Sequence, residues 1–409
     1  MNTLPTLNES LRQLIAAPSV SSSQAGEDMS NRPVIDLLAE WCEALGFSVQ
    51  ILSLASQPSS AIAPGIALRP LELLLPASLP SKANLIATLG SGPGGLLLSG
   101  HTDTVPCDPA LWSSDPFKLT ERDGRYYGLG TCDMKAFFAI ALAAVHAMPL
   151  KNLAAPLVLV ATADEETTMD GAKALLQQHT SLPPALIIGE PSGLKPIRMH
   201  KGIFTDSVRI IGKSGHSSDP MSGRNALEGA RQVMDALDQW RKELARRYQN
   251  PAFRIPYPTL NFGVLHGGNN PNKICAECEL QFDLRPLPDM PPIAALREEI
   301  AHLIQAATAN LELKVVYTPL CDGIPGFESP ADLPWVKTVE ALSEHPAGTA
   351  AFGTEAPYFQ RLGCTPIILG PGSIEQAHQA DEYLDAARIP KMQAILQKLI
   401  ATLVLGAKP

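Results

Sequence analysis

Leu96-Leu97-Leu98-Ser99-Gly100-His101-Thr102-Asp103 decides how the rest of the chain is read. Three leucines follow a Gly92-Pro93-Gly94-Gly95 turn. A short unbroken apolar run of this kind predicts a strand buried on both faces. It stops at Ser99-Gly100 and delivers His101 and Asp103, which are two apart and can point the same way. An imidazole and a carboxylate so placed suit a metal ligand and its supporting partner, or simply a turn with a satisfied pair.

The same pattern recurs downstream. Residues 157–161 form a second apolar run, ending in Thr162-Ala163-Asp164-Glu165-Glu166, and residues 185–188 a third, ending in Gly189-Glu190-Pro191. Between the first two, Asp133 precedes a predicted helix with Phe137, Ile140, Ala141, Ala144, Val145 and Met148 on one face. Asp133 is therefore a candidate N-cap as well as a candidate ligand. Leu4, Leu7, Leu11, Leu14 and Ile15 keep helical spacing, as do Ile35, Leu38, Trp41, Cys42 and Leu45 before Gly46. Strands are predicted over 47–51 and 84–89. Between them, residues 55–81 carry five prolines and read as an irregular surface excursion. Strands alternating with helices predict an α/β fold with a mainly parallel sheet, whose sites form beyond the carboxyl ends of its strands.

From residue 204 the order changes to strand, long helix (225–244), two strands (259–265 and 274–284), helix (293–309) and strand (313–317). That βαββαβ order is ferredoxin-like. It predicts a domain at 194–320 inserted into a catalytic domain made of 1–193 and 321–409. The chain then returns through a helix at 334–342, a strand at 366–369, His378 and a final helix using Ile389, Met392, Leu396, Leu399 and Leu403. Cys275 and Cys278 form a lone C-x-x-C within the 274–284 run, where a spacing of three points the thiols opposite ways.

Composition narrows the class. Of 409 residues, 45% are hydrophobic and 18% charged, ordinary for a globular chain. The net charge of -9, without a basic run, argues against a nucleic-acid partner. There is no apolar run of about 18 residues and no basic or apolar leader near the N-terminus, so neither a membrane span nor secretion is expected. Seven scattered cysteines fit reduced thiols in a cytoplasm.

The candidate ligands are His101, Asp133, Glu165, Glu166, Glu190 and His378. Two imidazoles among carboxylates suit zinc or a similar divalent ion. Two ions about 3.5–4 Å apart need a bridging carboxylate, for which Asp133 is placed. Adjacent Glu165 and Glu166 cannot both face one ion from an extended backbone, so one ligates and the other serves as general base.

These residues carry a resemblance. Residues 99–106 (Ser-Gly-His-Thr-Asp-Thr-Val-Pro), 130–135 (Gly-Thr-Cys-Asp-Met-Lys), 161–167 (Ala-Thr-Ala-Asp-Glu-Glu-Thr), 189–192 (Gly-Glu-Pro-Ser) and 376–379 (Gln-Ala-His-Gln) look like the M20 family of metal-dependent amidohydrolases and peptidases. Residues 213–220, 256–261, 283–288, 354–357 and 369–379 are similar to the branch that deacetylates N2-acetyl-L-ornithine for arginine biosynthesis. The resemblance implies two divalent ions, zinc first with cobalt as the alternative. His101 and Glu190 would hold one and Glu166 and His378 the other, with Asp133 bridging, Asp103 orienting His101, and Glu165 as general base. It implies a cis Asp133–Met134 bond. It also implies a homodimer through the inserted domain, with His216 reaching the partner's site to stabilise an oxyanion. Asn272 and Arg285 would grip a substrate carboxylate, and Glu355 could meet the ornithine ammonium. N-succinyl-diaminopimelate, acetylcitrulline or another N-acyl amino acid is the alternative substrate. The long 55–81 excursion and Cys132 and Ala136, where smaller residues are expected, depart from the branch.

Overall fold

The structure, a computed structural model, describes residues 4–24, 26–54, 81–178 and 180–407. Apart from Ser81, the proline-rich excursion lies outside them.

Alternate side chains of the central strands enter two different apolar clusters. Leu96 and Leu98 join one and Leu97 the other. Leu157 and Leu159 part from Val158 and Val160, and Ala185 and Ile187 from Leu186 and Ile188, in the same way. With both faces covered, the runs are continuous rather than alternating. Among the described residues nine strands make this sheet. Its path is Ser48–Ser53, Ala83–Leu89, Leu157–Thr162, Leu96–His101, Ala185–Ile188, Thr365–Ile368, Ile197–His200 and Phe327–Glu328, with Gly348–Ala350 also pairing Ile197–His200. The four strands from Leu157–Thr162 to Thr365–Ile368 are mutually parallel. Antiparallel pairs flank them. The parallel strands end together, His101 beside Thr162 and Ser99 beside Ile188, so the loops leaving them open on one edge of the sheet.

The spacing predicts one apolar face for the helix Lys135–His146, but the structure buries it nearly all round. It lies between the sheet and the helices Leu7–Ile15 and Arg388–Leu403. The sheet meets it through glycines. A Cβ on Gly100 would sit 2.2 Å from Met134 Cε, and one on Gly189 2.1 Å from Phe137 Cγ. Helix starts follow local chemistry. Thr6 forms a capping box with Glu9, and the Asn225 side chain accepts from the Leu227 N–H.

The second sheet runs Thr259–Gly267, Glu277–Arg285, Phe204–Ile211, Lys314–Pro319, with every neighbour antiparallel. The helices Ala226–Arg247 and Ile293–Thr308 bury Val233, Leu237, Trp240, Ile300 and Ile304 against it. This is the ferredoxin-like arrangement that the element order predicts. The strand Ile197–His200, which a division at 193/194 assigns to the insert, pairs in the large sheet instead. The expectation for Cys275 and Cys278 also needs correcting. The ladder begins at Glu277, so only Cys278 is in the strand, and both free thiols are buried in one cluster. A small sheet of Thr120–Arg122, Arg125–Tyr127 and Tyr383–Asp385 was not foreseen, because three-residue strands show no period. No described helix is long and apolar enough to cross a membrane.

His200 ends its strand fully buried. Its Nδ1 donates to the Lys201 carbonyl at 2.8 Å, leaving Nε2 to accept from the Thr354 hydroxyl at 3.1 Å and N–H at 3.2 Å. Burial keeps the ring neutral, lowering its pKa from 6.5 to about 4. Between those values the unfolded chain takes up a proton that the folded chain refuses. This contribution to stability is therefore whole above pH 6.5 and lost as pH falls toward 4. Urea titrations across that window should show wild type losing stability with acid faster than His200→Asn, by up to about 1.4 kcal/mol per pH unit. Equal slopes would rule out this source of acid sensitivity.

Candidate metal centre

Four parallel strands each deliver part of the centre. His101 ends the first, Glu165 and Glu166 follow the second, Glu190 the third and His378 the fourth. Asp133 precedes the central helix. His101 Nε2 lies 3.0 Å from Asp133 Oδ1 and 3.9 Å from Glu190 Oε1. His378 Nε2 lies 3.0 Å from Glu166 Oε1 and 3.7 Å from Asp133 Oδ2. Asp133 thus turns one oxygen toward each imidazole, the disposition a bridging carboxylate requires. It does not cap the helix, since Met134 holds the N-cap position with no side-chain bond. The Asp133–Met134 bond is cis, and His378 sits in the left-handed region at φ 60°.

Asp103 lies against His101 and against a second loop. The His101 Nδ1 hydrogen bond goes to the Asp103 backbone carbonyl at 3.0 Å, while the carboxylate stands 3.6 Å away. Its two oxygens also accept the backbone N–H groups of Glu165 (3.2 Å) and Glu166 (3.1 Å). One residue thereby fixes both the imidazole and the turn bearing the two glutamates.

Burial and mutual repulsion set the charge state. Burial raises the Glu165 carboxyl well above its usual range, with the Glu190 charge adding to it. Burial does the same to Glu190, reinforced by Asp133. For Glu166 burial outweighs the opposing His378 bond. At His101 burial works against protonation, but Glu190, Asp103 and Asp133 overcome it and hold the ring's pKa well above 6.5. Such crowding of acids calls for positive charge among them. Atoms of His101, Glu165 and Glu190 lie within 4.8 Å of one another, as do atoms of His101, Asp133 and Glu166. Glu190 Oε1 is buried with no hydrogen-bonding partner among the described residues. The donor set therefore fits borderline divalent ions.

A cavity of about 680 Å³ opens over this cluster. Glu165 and Glu166 line it deep down and His378 nearer the solvent, with Met169, Ile324 and Phe352 among its apolar lining, and Arg285 is the one Arg or Lys among its lining residues. Arg285 Nε donates to Asp283 at 2.7 Å. His216 and Asn272 lie elsewhere, exposed on the second unit. They are neighbours, for Ser217 donates its N–H to the Asn272 carbonyl at 3.1 Å, and His216 Nδ1 pairs with Ser218 Oγ at 2.8 Å. Glu355 does not line the cavity. It is fully buried and bonded to Thr162 Oγ1 at 2.8 Å, a geometry that does not fit the ammonium contact expected of it.

Residues 97–402 match the model of peptidase family M20/M25/M40. The chain belongs to that family. Among M20 relatives, it is 46% identical over 410 residues to an acetylornithine deacetylase of Proteus mirabilis, covering 99% of this chain and 98% of that one. An acetylornithine deacetylase of Pasteurella multocida is 45% identical, covering 99% and 100%. Among solved M20-like folds, a tripeptidase from Staphylococcus aureus superposes with a TM-score of 0.72 at 20% identity, covering 98% of this chain and 99% of that one. A dinuclear metal binding peptidase of the M20 family from Bacillus subtilis superposes with a TM-score of 0.60 at 14% identity, covering 97% of each.

Three supports of this M20 centre escaped the sequence reading. Glu382 is buried and accepts the N–H groups of Gly130 (3.1 Å), Cys132 (2.7 Å) and Asp133 (3.0 Å). Burial pushes its carboxyl up to about 8 against those donors. Lys135 is buried, lowered by burial to about 7, and donates to the Ala17 carbonyl at 2.8 Å. Lys82 pairs with Asp28 and with Asp164, each at 2.8 Å, beside the turn of Glu165. Their partners lie far off in sequence, and most are backbone groups, so no local pattern announces them. Glu382→Ala should free the loop that carries Asp133. Metal retention, read by chelator competition, should fall about 10–100-fold while the fold persists. Unchanged retention would make Glu382 a packing residue only.

Proposed function

We propose that this chain deacetylates N2-acetyl-L-ornithine to L-ornithine and acetate. The observation that carries the reading is Asp133 set between two imidazoles, with Glu165 beside them on the floor of a cavity that also presents Arg285. The name borne by the 45–46% identical relatives supports this substrate. In the proposed centre His101 and Glu190 hold one divalent ion and Glu166 and His378 the other, with Asp133 shared. Bound there, the ions supply Lewis acidity toward water and the amide carbonyl.

Glu165 is the proposed base. Set back among apolar and acidic neighbours, its carboxylate is a ready proton acceptor. It takes a proton from the water that adds to the acetyl carbon, then delivers it to the nitrogen as the C–N bond breaks. The leaving amine departs neutral rather than as an amide anion. Arg285 holds the substrate carboxylate by its planar fork. The floor and walls leave room for a small N-acyl amino acid.

We place the catalytic unit at 1–193 and 321–409 with Ile197–His200 in its sheet, and read the insert as a dimerising lid in the cytoplasm. His216 and Asn272 would then serve the site of a second copy, His216 as oxyanion donor. Arg285, in contrast, faces its own chain's cavity.

Glu165→Ala should keep its metal and lose at least about 10³-fold in kcat, with KM little changed. Full activity would remove Glu165 from the chemistry. The substrate is tested by kcat/KM, expected highest for N2-acetyl-L-ornithine against N-succinyl-diaminopimelate and acetylcitrulline. Mixing Glu165→Ala with His216→Ala subunits should restore about a quarter of wild-type activity by forming one intact site in half of the dimers. No recovery despite subunit exchange would show that His216 does not act across an interface.

A further inference from the structure

Glu355 stands at the start of the helix Ala356–Arg361 and is 0% exposed. Its Oε2 lies 2.8 Å from Thr162 Oγ1, and its Oε1 has no hydrogen-bonding partner among the described residues. Thr162 Oγ1 also lies 3.1 Å from the Gly100 carbonyl. A hydroxyl carries one proton. With Glu355 ionised, both of these neighbours are acceptors and one goes without. Charge would also rest on a carboxylate with one buried, unpartnered oxygen, which is costly. With the proton on Oε2, Glu355 donates to Thr162, Thr162 donates to Gly100, and Oε1 is a neutral carbonyl oxygen. Only the second arrangement satisfies both contacts.

We propose that Glu355 is held as a neutral carboxylic acid that positions Thr162, and through Thr162 the strand ends carrying His101 and Glu165. Thr162 is a junction. Its carbonyl accepts from the Thr102 N–H at 2.9 Å and hydroxyl at 2.7 Å, and Asp164 and Glu165 stand two and three residues further on. Glu355 is itself fixed by Thr354, whose hydroxyl donates to His200 Nε2 and accepts from the Ala356 N–H at 3.1 Å. The titratable groups that interact with Glu355 are His101, Asp103, Glu165, Glu190 and Tyr358. Burial favours the protonated form and outweighs the Thr162 bond and His101, raising the carboxyl to about 7.

The role depends on the centre being hydrolytic, but metal retention tests it apart from any choice of substrate. Three holoenzyme variants decide it. In Glu355→Gln the amide can donate where the acid did, so kcat, KM and metal retention should stay within about twofold of wild type. Glu355→Leu removes the donor and should lower kcat and metal retention about tenfold each, with KM little changed. Thr162→Val should match it, and the double variant should add nothing further. If Glu355→Gln falls as far as Glu355→Leu, a charge is required and the proposal is wrong. It is equally wrong if Glu355→Gln raises KM for N2-acetyl-L-ornithine but not for N-acetyl-L-norvaline, which lacks the ammonium. Should the leucine variant not fold, the glutamine variant decides alone. If acetylornithine is not the substrate, the same order of metal retention still supports the role, and its reversal still refutes it.

Discussion

Asp133, Glu165, Glu166 and Glu190 are gathered around His101 with little water to screen them. Left to themselves, such carboxylates repel at several kcal/mol per pair even with generous screening, on the order of 4 kcal/mol at 4 Å. The surrounding structure holds them in place with rigid parallel strands and with supporting acids that bind the loops through backbone N–H groups. Asp103 accepts two such groups and Glu382 three. Neither residue lines the cavity; Asp103 immobilises the turn that presents Glu165 and Glu166 to it, and Glu382 the loop that carries Asp133.

The division of labour follows depth. His101 is fully buried and its Nδ1 is fixed by a backbone carbonyl, whereas the His378 side chain is 51% exposed at the rim. The first imidazole is a fixed reference for the centre; the second closes it from the solvent side. Lys82, with two acids around its ammonium, pins the turn before Glu165 from behind. A lone buried lysine would be expensive, yet this one is held charged because Asp164 and Asp28 outweigh its burial.

Much of this was legible in the residues. The strands around Leu96–His101 could be read because burial on both faces leaves unbroken apolar runs, and the candidate ligands His101, Glu165, Glu166 and Glu190 because each stands at or just past the end of such a run, whereas Asp133 precedes the central helix. The long helices showed themselves by spacing and by Asn225. What could not be read depends on contacts that leave no local trace. Glu382 is one acid among many until its amide partners 249 to 252 residues earlier are known. Asp103 reads as the support of an imidazole, but nothing local shows that its carboxylate also takes two backbone N–H groups of the neighbouring turn. Glu355 looked like a surface or substrate residue, and only its burial against Thr162 shows otherwise. The central helix hid its all-round burial because small residues such as Ala139 and Ala143 dilute an apolar pattern.

The strand Thr365–Ile368 occupies the interior of the large sheet, between Ala185–Ile188 and Ile197–His200, though it follows both far along the chain. Until it inserts, those two strands have unpaired edges, and neither His378 nor Glu382 can reach its place. Synthesis through these later elements must therefore precede assembly of the centre, and closure of the sheet across so large a sequence separation is slow by nature. A nascent chain stalled before residue 365 would hold part of the acid cluster without the elements that complete it.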